Sequence, residues 1–194
     1  MLEFGTSATL VLIQGDAVAV ASVGDSLAVL AWHPATEGQP HAAQAVSVLH
    51  KASEPAERQR IAAECGGAVS VTCDGYLCVD EGRLRNFQLA MSRALGHRLL
   101  SRYGVSHRPS VRLHRLNPVN CCLVVATDGV WDVLSPQEAS AIVCEELARG
   151  RDPAGAAHTL CSQAVQLAEW GGPKGSRCAA DNTTAAVFDL GELG

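Results

Sequence analysis

The first 33 residues contain three short apolar segments separated by tight turns. The segments are "TSATLVLI", "AVAVASVG" and "LAVLAWH", and the turns are "QGD" and "GDS". Turns this short join antiparallel neighbours, because a parallel connection needs a crossover of a dozen or more residues. The pattern therefore predicts an antiparallel three-stranded meander at the start of the chain.

The remaining elements do not alternate regularly between strand and helix. A helical pattern runs from Glu54 to Cys65, and "AVSVTCDGYLCV" then predicts a hairpin. Residues 96–110 are mixed and polar, which indicates a surface loop, and "VRLHRL" and "CCLVVAT" are typical of strands. This order predicts an α+β fold with antiparallel sheets, formed as a single domain by residues 1–194.

Two helices and a strand complete the predicted order. Ser135 and Glu138 form a capping box, which predicts a helix that ends near Gly150. A second helix is predicted from Asp152-Pro153 to Gly171-Gly172, and "AADNTTAAVFDL" predicts a closing turn and strand.

Charge and hydropathy exclude several classes of partner. The net charge is −5 and the arginines are scattered, which argues against nucleic acid. No apolar run reaches the roughly 18 residues of a membrane span, and no basic leader precedes the first apolar segment. We therefore expect an intracellular protein, cytoplasmic or nuclear, without a membrane partner.

The eight cysteines raise the alternatives of a disulfide framework or a zinc site. No C-x-x-C pair occurs, the spacings to histidines are irregular, and several cysteines lie inside apolar runs. The composition favours reduced, buried thiols.

Four aspartates follow strand-like segments or lie between them: Asp25, Asp128, Asp132 and Asp181. An Asp-Gly pair such as Asp128-Gly129 is often only a turn. Four acids in such positions instead suggest one common site, because Mg²⁺ and Mn²⁺ prefer oxygen ligands.

Six motifs occur in an order that resembles the type 2C metal-dependent serine/threonine protein phosphatases. They are "GTSATLVLI", "ASVGDSLAVL", "HKASEPAERQRIAAECGGAV", "LAMSRALGH", "VVATDGVWDVLSPQEA" and "ADNTTAAV". The resemblance implies a β-sandwich of two antiparallel sheets flanked by helices. It also implies two catalytic Mg²⁺ or Mn²⁺ ions, whose bridging water attacks a phosphorylated protein substrate, so no catalytic residue is needed beyond the metal ligands.

The resemblance assigns roles to individual residues. Asp128 and Asp181 match the ligands of one catalytic metal, and Asp25 and Asp132, together with Asp128, match the ligands of a weaker third metal. Gly129 would allow the tight turn that brings Asp128 to the metal. Asn182 would orient the turn around Asp181, and Trp131 would pack beside the site without a chemical role.

The chain also departs from the family pattern. It has no Asp-Gly-His-Gly motif, and it has Leu27 and His97 where arginine and aspartate are usual. We therefore expect the domain to be incomplete, with the N-terminal third missing, and the 194-residue chain to be inactive by itself. Two hypotheses stay open: part of an active phosphatase, or an inactive pseudophosphatase that serves as a protein-binding module. The sequence does not reveal the substrate protein or the oligomeric state.

Overall fold

The computed structural model describes residues 4–32, 41–117, 119–170 and 181–191. The segment 33–40, the predicted helix end at Gly171-Gly172 and Cys178 lie outside these residues. The chain divides into two compact units. Unit 1 comprises Met1–Leu10, Ala21–Asp25 and Val48–Val111, and unit 2 comprises Val11–Val20, Ser26–Ser47 and Arg112–Gly194. The single domain over residues 1–194 stays a prediction.

The described residues form twelve strands and four α-helices. The strands are β1 (Gly5–Thr6), β2 (Ala8–Gln14), β3 (Ala17–Val23), β4 (Leu27–Trp32), β5 (Ala42–Ala45), β6 (Val69–Val71), β7 (Leu77–Val79), β8 (Gln88–Leu89), β9 (Leu95–Gly96), β10 (Ser110–Arg115), β11 (Asn120–Ala126) and β12 (Ala185–Asp189). The helices are α1 (Pro55–Cys65), α2 (Asp128–Trp131), α3 (Pro136–Ala148) and α4 (Pro153–Trp170). No helix in this part of the chain is both long and apolar enough to cross a bilayer.

Unit 1 is built around α1 and small antiparallel sheets. Strands β6, β7 and β8 form one sheet, and β1 pairs with β9. Its core contains Ile61 of α1, Leu77 and Val79 of β7, and Leu100 and Val105. The hairpin predicted around Asp74-Gly75 is confirmed as β6 and β7, because Val69 pairs with Val79 in register.

Unit 2 consists of two sheets and two long helices. One sheet has the order β12-β11-β4-β5, and the other has the order β10-β3-β2. Most residues of β10, β3 and β2 belong to unit 2. Leu123 of β11 packs with Val18 and Val20 of β3 between the sheets. The alternate residues Cys122 and Val124 face a second core, which α3 and α4 cover. This packing is why β11 is buried on both faces and reads as an unbroken apolar run.

The helix starts follow from local chemistry. The Ser135 hydroxyl accepts from the Glu138 amide, and the Glu138 carboxylate accepts from the Ser135 amide, so the predicted capping box is confirmed. The α+β class with antiparallel sheets is likewise confirmed.

Two local predictions are wrong. The three N-terminal strands do not form one meander: β3 lies beside β2, whereas β4 joins β5 and β11 in the other sheet. The region 96–110 is not simply a surface loop, because Leu100 and Val105 are buried and residues 100–103 form a 3-10 turn.

Candidate metal centre

Strand β11 carries the chain directly to Asp128. Asp128 is half-buried and begins the short helix α2. Trp131 secures this helix to the strand, since its indole Nε1 donates to the Ala126 carbonyl at 2.8 Å. The Asp128-Gly129 pair therefore opens a helix at the end of a buried strand, and its interpretation as a simple turn is wrong.

Hydrogen bonds join the residue before Asp128 to the segment that contains Asp181. The Thr127 amide donates to the Thr184 carbonyl at 3.0 Å, and the Thr184 amide donates to Thr127 Oγ1 at 3.1 Å. Thr127 Oγ1 also donates to the Asn182 carbonyl at 3.2 Å. These bonds place the chain around Asp128 beside the chain around Asp181.

Gly129 permits this close approach. A Cβ at Gly129 would lie 2.6 Å from Thr183 Oγ1 and 2.8 Å from the Asn182 carbonyl oxygen. Gly129 lies inside α2 and has no positive φ. Glycine is thus required here by space, and the role that the resemblance gives it in bringing Asp128 to a metal stays a prediction.

Asp181 lies on an exposed segment that carries local hydrogen bonds. Its carboxylate Oδ1 accepts from the Asn182 amide at 2.6 Å, and its carbonyl accepts from Thr183 Oγ1 at 2.9 Å. Asn182 contacts this region through its main chain: its carbonyl accepts from Thr127 and its amide donates to Asp181. The orienting role that the resemblance gives to Asn182 stays a prediction.

The donor set fits a hard cation better than a soft one. Asp128 and Asp181 offer carboxylate oxygens on adjoining segments, and Mg²⁺ commonly takes one or two carboxylates while it keeps several waters. Asp132 is exposed at the end of α2, where its amide donates to the Asp128 carbonyl at 2.8 Å. Among the described residues of unit 2, Asp128, Asp132 and Asp181 do not form a cluster of three carboxylates within 4.8 Å of one another. Their service as ligands stays a prediction.

Asp25 belongs to unit 1, where a buried histidine secures its turn. Gly24 precedes Asp25 with a φ of +103°, and a Cβ there would lie 2.4 Å from the Ser7 Cβ. The Gly24 amide donates to His50 Nδ1 at 3.2 Å, so the His50 proton lies on Nε2, which donates to Ser110 Oγ at 2.9 Å. Burial, followed by the charge of Arg93, lowers the pKa of His50 to about 4. His50 is consequently neutral at pH 7.

A buried carboxylate organises the neighbouring part of unit 1. Glu57 receives Arg93 Nη2 at 2.6 Å, Arg60 Nη2 at 2.8 Å and Ser92 Oγ at 2.7 Å. Burial alone would raise the pKa of Glu57, but the hydrogen bonds from these three side chains outweigh it and lower the pKa to about 2. Arg60 also donates to the Gly104 carbonyl, which ties α1 to a loop of the same unit.

Sequence reasoning missed these positioning residues. His50, Glu57 and Arg93 lie inside motifs that carry the resemblance, yet nothing in their spacing indicates that they meet. Thr127 immediately precedes Asp128, and a hydroxyl there could have been noted as a cap. Its actual partners lie 55 and 57 residues away.

Comparison with known proteins gives a consistent family assignment. Residues 1–169 match the family model described as protein phosphatase 2C, a range that ends before Asp181. The chain is 35% identical over 162 residues to "Probable protein phosphatase 2C 61" of Arabidopsis thaliana, covering 83% of this chain and 48% of that protein. It is 42% identical over 142 residues to "Probable protein phosphatase 2C 12" of Oryza sativa subsp. japonica, and the match covers 72% of this chain and 36% of that protein. The chain thus spans half or less of the length of these relatives.

Two solved structures are also similar to this chain. A serine-threonine phosphatase 2C from Toxoplasma gondii matches with a TM-score of 0.74 and 27% identity, over 94% of this chain and 57% of that one. A sex-determining protein of C. elegans matches with a TM-score of 0.68 at 22% identity, over 96% of this chain and 40% of that one, and shows the shared fold.

Proposed function

Because the chain belongs to the protein phosphatase 2C family, we propose that it forms part of a metal-dependent protein serine/threonine phosphatase. The observation that supports this most directly is the pairing of Thr127 with Asn182 and Thr184, which brings the chain segments of Asp128 and Asp181 together. The substrate class is a phosphoserine or phosphothreonine in a protein. Neither nucleic acid nor membrane is part of the proposal.

We assign the aspartates to Mg²⁺ or Mn²⁺ ions. Asp128 and Asp181 would hold one of two catalytic ions, and Asp25 and Asp132, with Asp128, would serve a weaker third. A bound ion of this kind lowers the pKa of a water ligand and polarises the phosphoryl oxygens. The fold holds Asp128 rigidly, because Asp128 follows a strand that is buried on both faces and begins a helix anchored by Trp131.

A chimera tests the proposal. Residues 1–194 would be joined to the N-terminal segment of the Arabidopsis relative, and Mn²⁺-dependent hydrolysis of a phosphothreonine peptide would be measured. We expect turnover that falls at least ~100-fold in Asp128→Asn, since loss of metal stabilisation costs several kcal/mol of barrier. The matched control is Asp74→Asn, which removes an exposed carboxylate from the β6–β7 turn of unit 1 and should leave turnover unchanged.

The second measurement of this experiment uses the 194-residue chain without the added segment. We expect residues 1–194 alone to show no Mn²⁺-dependent hydrolysis above background. Strong activity of this chain, abolished by Asp128→Asn, would contradict that expectation. A folded chimera that binds Mn²⁺ but never turns over would instead favour the pseudophosphatase.

A further inference from the structure

Three buried cysteines of unit 2 converge at the start of β11, at the other end of the strand from Asp128. Cys121 Sγ lies 2.7 Å from Cys144 Sγ, and Cys122 Sγ lies 3.8 Å from the same atom. All three sulfur atoms lie within 4.8 Å of one another. The five residue steps from Cys121 to Ala126 separate this cluster from the Asp128 end by roughly 16 Å.

A β-bulge explains how two adjacent cysteines reach one partner. Successive strand residues normally point to opposite faces. Along β11, however, Asn120 pairs with Trp32 and Cys122 pairs with Ala31, so Cys121 is the extra residue of a β-bulge. Bulges re-aim side chains in this way. Cys121 and Cys122 consequently both pack in the core that contains Cys144 of α3.

A cavity opens beside two of the three thiols. Its volume is about 260 Å³, and its lining includes Cys121, Cys144, Asn120 and Asp189. Asp189 of β12 lies beside Cys122 in register and accepts from the Gly191 amide at 2.9 Å. The cavity gives an ion or a water access to a cluster that is otherwise enclosed by apolar side chains.

We propose that Cys121, Cys122 and Cys144 bind one thiophilic divalent cation of the zinc class, with a fourth coordination position open to the cavity. Thiolate ligands select soft or borderline cations over Mg²⁺ and Mn²⁺. A Zn–S bond of ~2.3 Å in tetrahedral geometry places two sulfurs ~3.8 Å apart. The Cys122–Cys144 separation already has this value, and Cys121 must move ~1 Å away from Cys144, beside a cavity that both residues line.

The thiols of the cluster can bind a metal ion only if they release protons. The contact with Cys121, together with burial, raises the pKa of both Cys122 and Cys144, and for Cys144 these effects outweigh the lowering by the contact with Cys122. The thiols of Cys122 and Cys144 are therefore neutral without an ion, and metal binding to them releases protons. The bound ion joins β11 to α3, and the chain between Cys122 and Cys144 contains both Asp128 and Asp132.

The test uses the reduced, metal-free 194-residue chain. Cd²⁺ serves as a spectroscopic probe through its thiolate-to-metal charge-transfer absorption, and Zn²⁺ is measured by competition with a chromophoric chelator. We expect one equivalent of tight binding, unaffected by excess Mg²⁺, and a higher Tm with Zn²⁺. Cys144→Ser and Cys122→Ser should each weaken binding at least ~100-fold, since even indirect supporting residues contribute 10–100-fold.

Cys161→Ser is the matched control, because Cys161 is a half-buried thiol on α4 outside the cluster. It should bind one equivalent as tightly as the unmodified chain. Circular dichroism of each metal-free variant, with Cys144→Ala as a second substitution, separates loss of binding from loss of fold. Equal binding by folded Cys144→Ser and Cys161→Ser would overturn the proposal. The proposal would also be overturned if the folded, reduced chain had no affinity for Zn²⁺ and its oxidised form contained a Cys121–Cys144 disulfide.

Discussion

Gly129 shows how a single missing side chain shapes the candidate metal centre. The first turn of α2 touches the 182–183 backbone so closely that a methyl group at Gly129 would overlap Thr183 and the Asn182 carbonyl. Those atoms belong to the segment that carries Asp181. The packing at Gly129 therefore contributes to the position of a predicted ligand that is distant in sequence.

We predict that Gly129→Ala lowers the free energy of unfolding by about 1–2 kcal/mol. Alanine would gain up to ~1 kcal/mol of helix propensity, but overpacking costs ~1–3 kcal/mol. Hydrogen exchange should also show faster exchange of the Thr184 amide, which donates to Thr127. Urea unfolding and exchange mass spectrometry provide the measurements.

Gly67→Ala is the control for this substitution. Gly67 has open space around the site of a Cβ and no positive φ, so its replacement should change stability by less than ~0.5 kcal/mol. If Gly129→Ala were as stable as Gly67→Ala and protected Thr184 equally well, the steric account of Gly129 would be wrong.

At the residue scale, sequence reasoning identified candidate metal ligands, whose role stays a prediction, but not the residues that position their segments. Asp128 and Asp181 were identifiable from motifs, because carboxylates after buried strands suit hard cations. Thr127, His50 and Cys144 were not, since their roles depend on partners more than 20 residues away in sequence. Local pattern carries no information about which segments meet.

At the element scale, the longer strands were predicted well, but the short strands β1, β5, β8 and β9 and the sheet membership of β4 were not. Alternation and turn residues locate β2, β3 and β4, but a tight turn does not require its two strands to pair. The turn at Gly24–Ser26 instead lies between a strand of one sheet and a strand of the other. Asp25 therefore lies at a crossover between sheets, where His50 holds the Gly24 amide.

The His50 contact predicts acid sensitivity of this crossover. The folded pKa of about 4 lies below the ~6.5 of an unfolded chain, so between these values the unfolded state binds more protons. The free energy of unfolding should thus rise from pH 4 to pH 6.5, by up to about 3 kcal/mol from this site, and then level off. Urea unfolding followed by circular dichroism at several pH values measures the slope.

Two glutamine variants distinguish the contribution of His50 to this pH dependence from the contributions of other residues. His50→Gln keeps a hydrogen-bond acceptor but cannot titrate, so most of the slope between pH 4.5 and 6.5 should vanish. Below ~4.5 stability should still fall, because Glu57, whose folded pKa is about 2, stabilises only in its charged form. His158→Gln changes an exposed residue of α4 and should retain the full slope. An undiminished slope in His50→Gln would contradict the assignment.

At the scale of the whole molecule, unit 2 presents apolar side chains to solvent on one of its sheets. Strands β2 and β10 lie at the two edges of the order β10-β3-β2. Val11 and Ile13 of β2 face the core, whereas the alternate residue Leu12 is 62% exposed, and Leu113 of β10 is 79% exposed. Exposed edges with apolar side chains invite association between copies.

We predict that Leu113→Glu weakens self-association of the chain at least tenfold, measured by sedimentation velocity over a range of concentrations. Burial of one leucine at a contact between copies contributes ~1.5–3 kcal/mol, and 1.4 kcal/mol corresponds to a tenfold change in Kd. Stability should change by less than ~0.5 kcal/mol, because the side chain is already exposed. Gln14→Glu adds the same charge at an exposed polar position of β2 and should have a much smaller effect. Equal dissociation by the two variants would show that net charge, and not the apolar face, controls association.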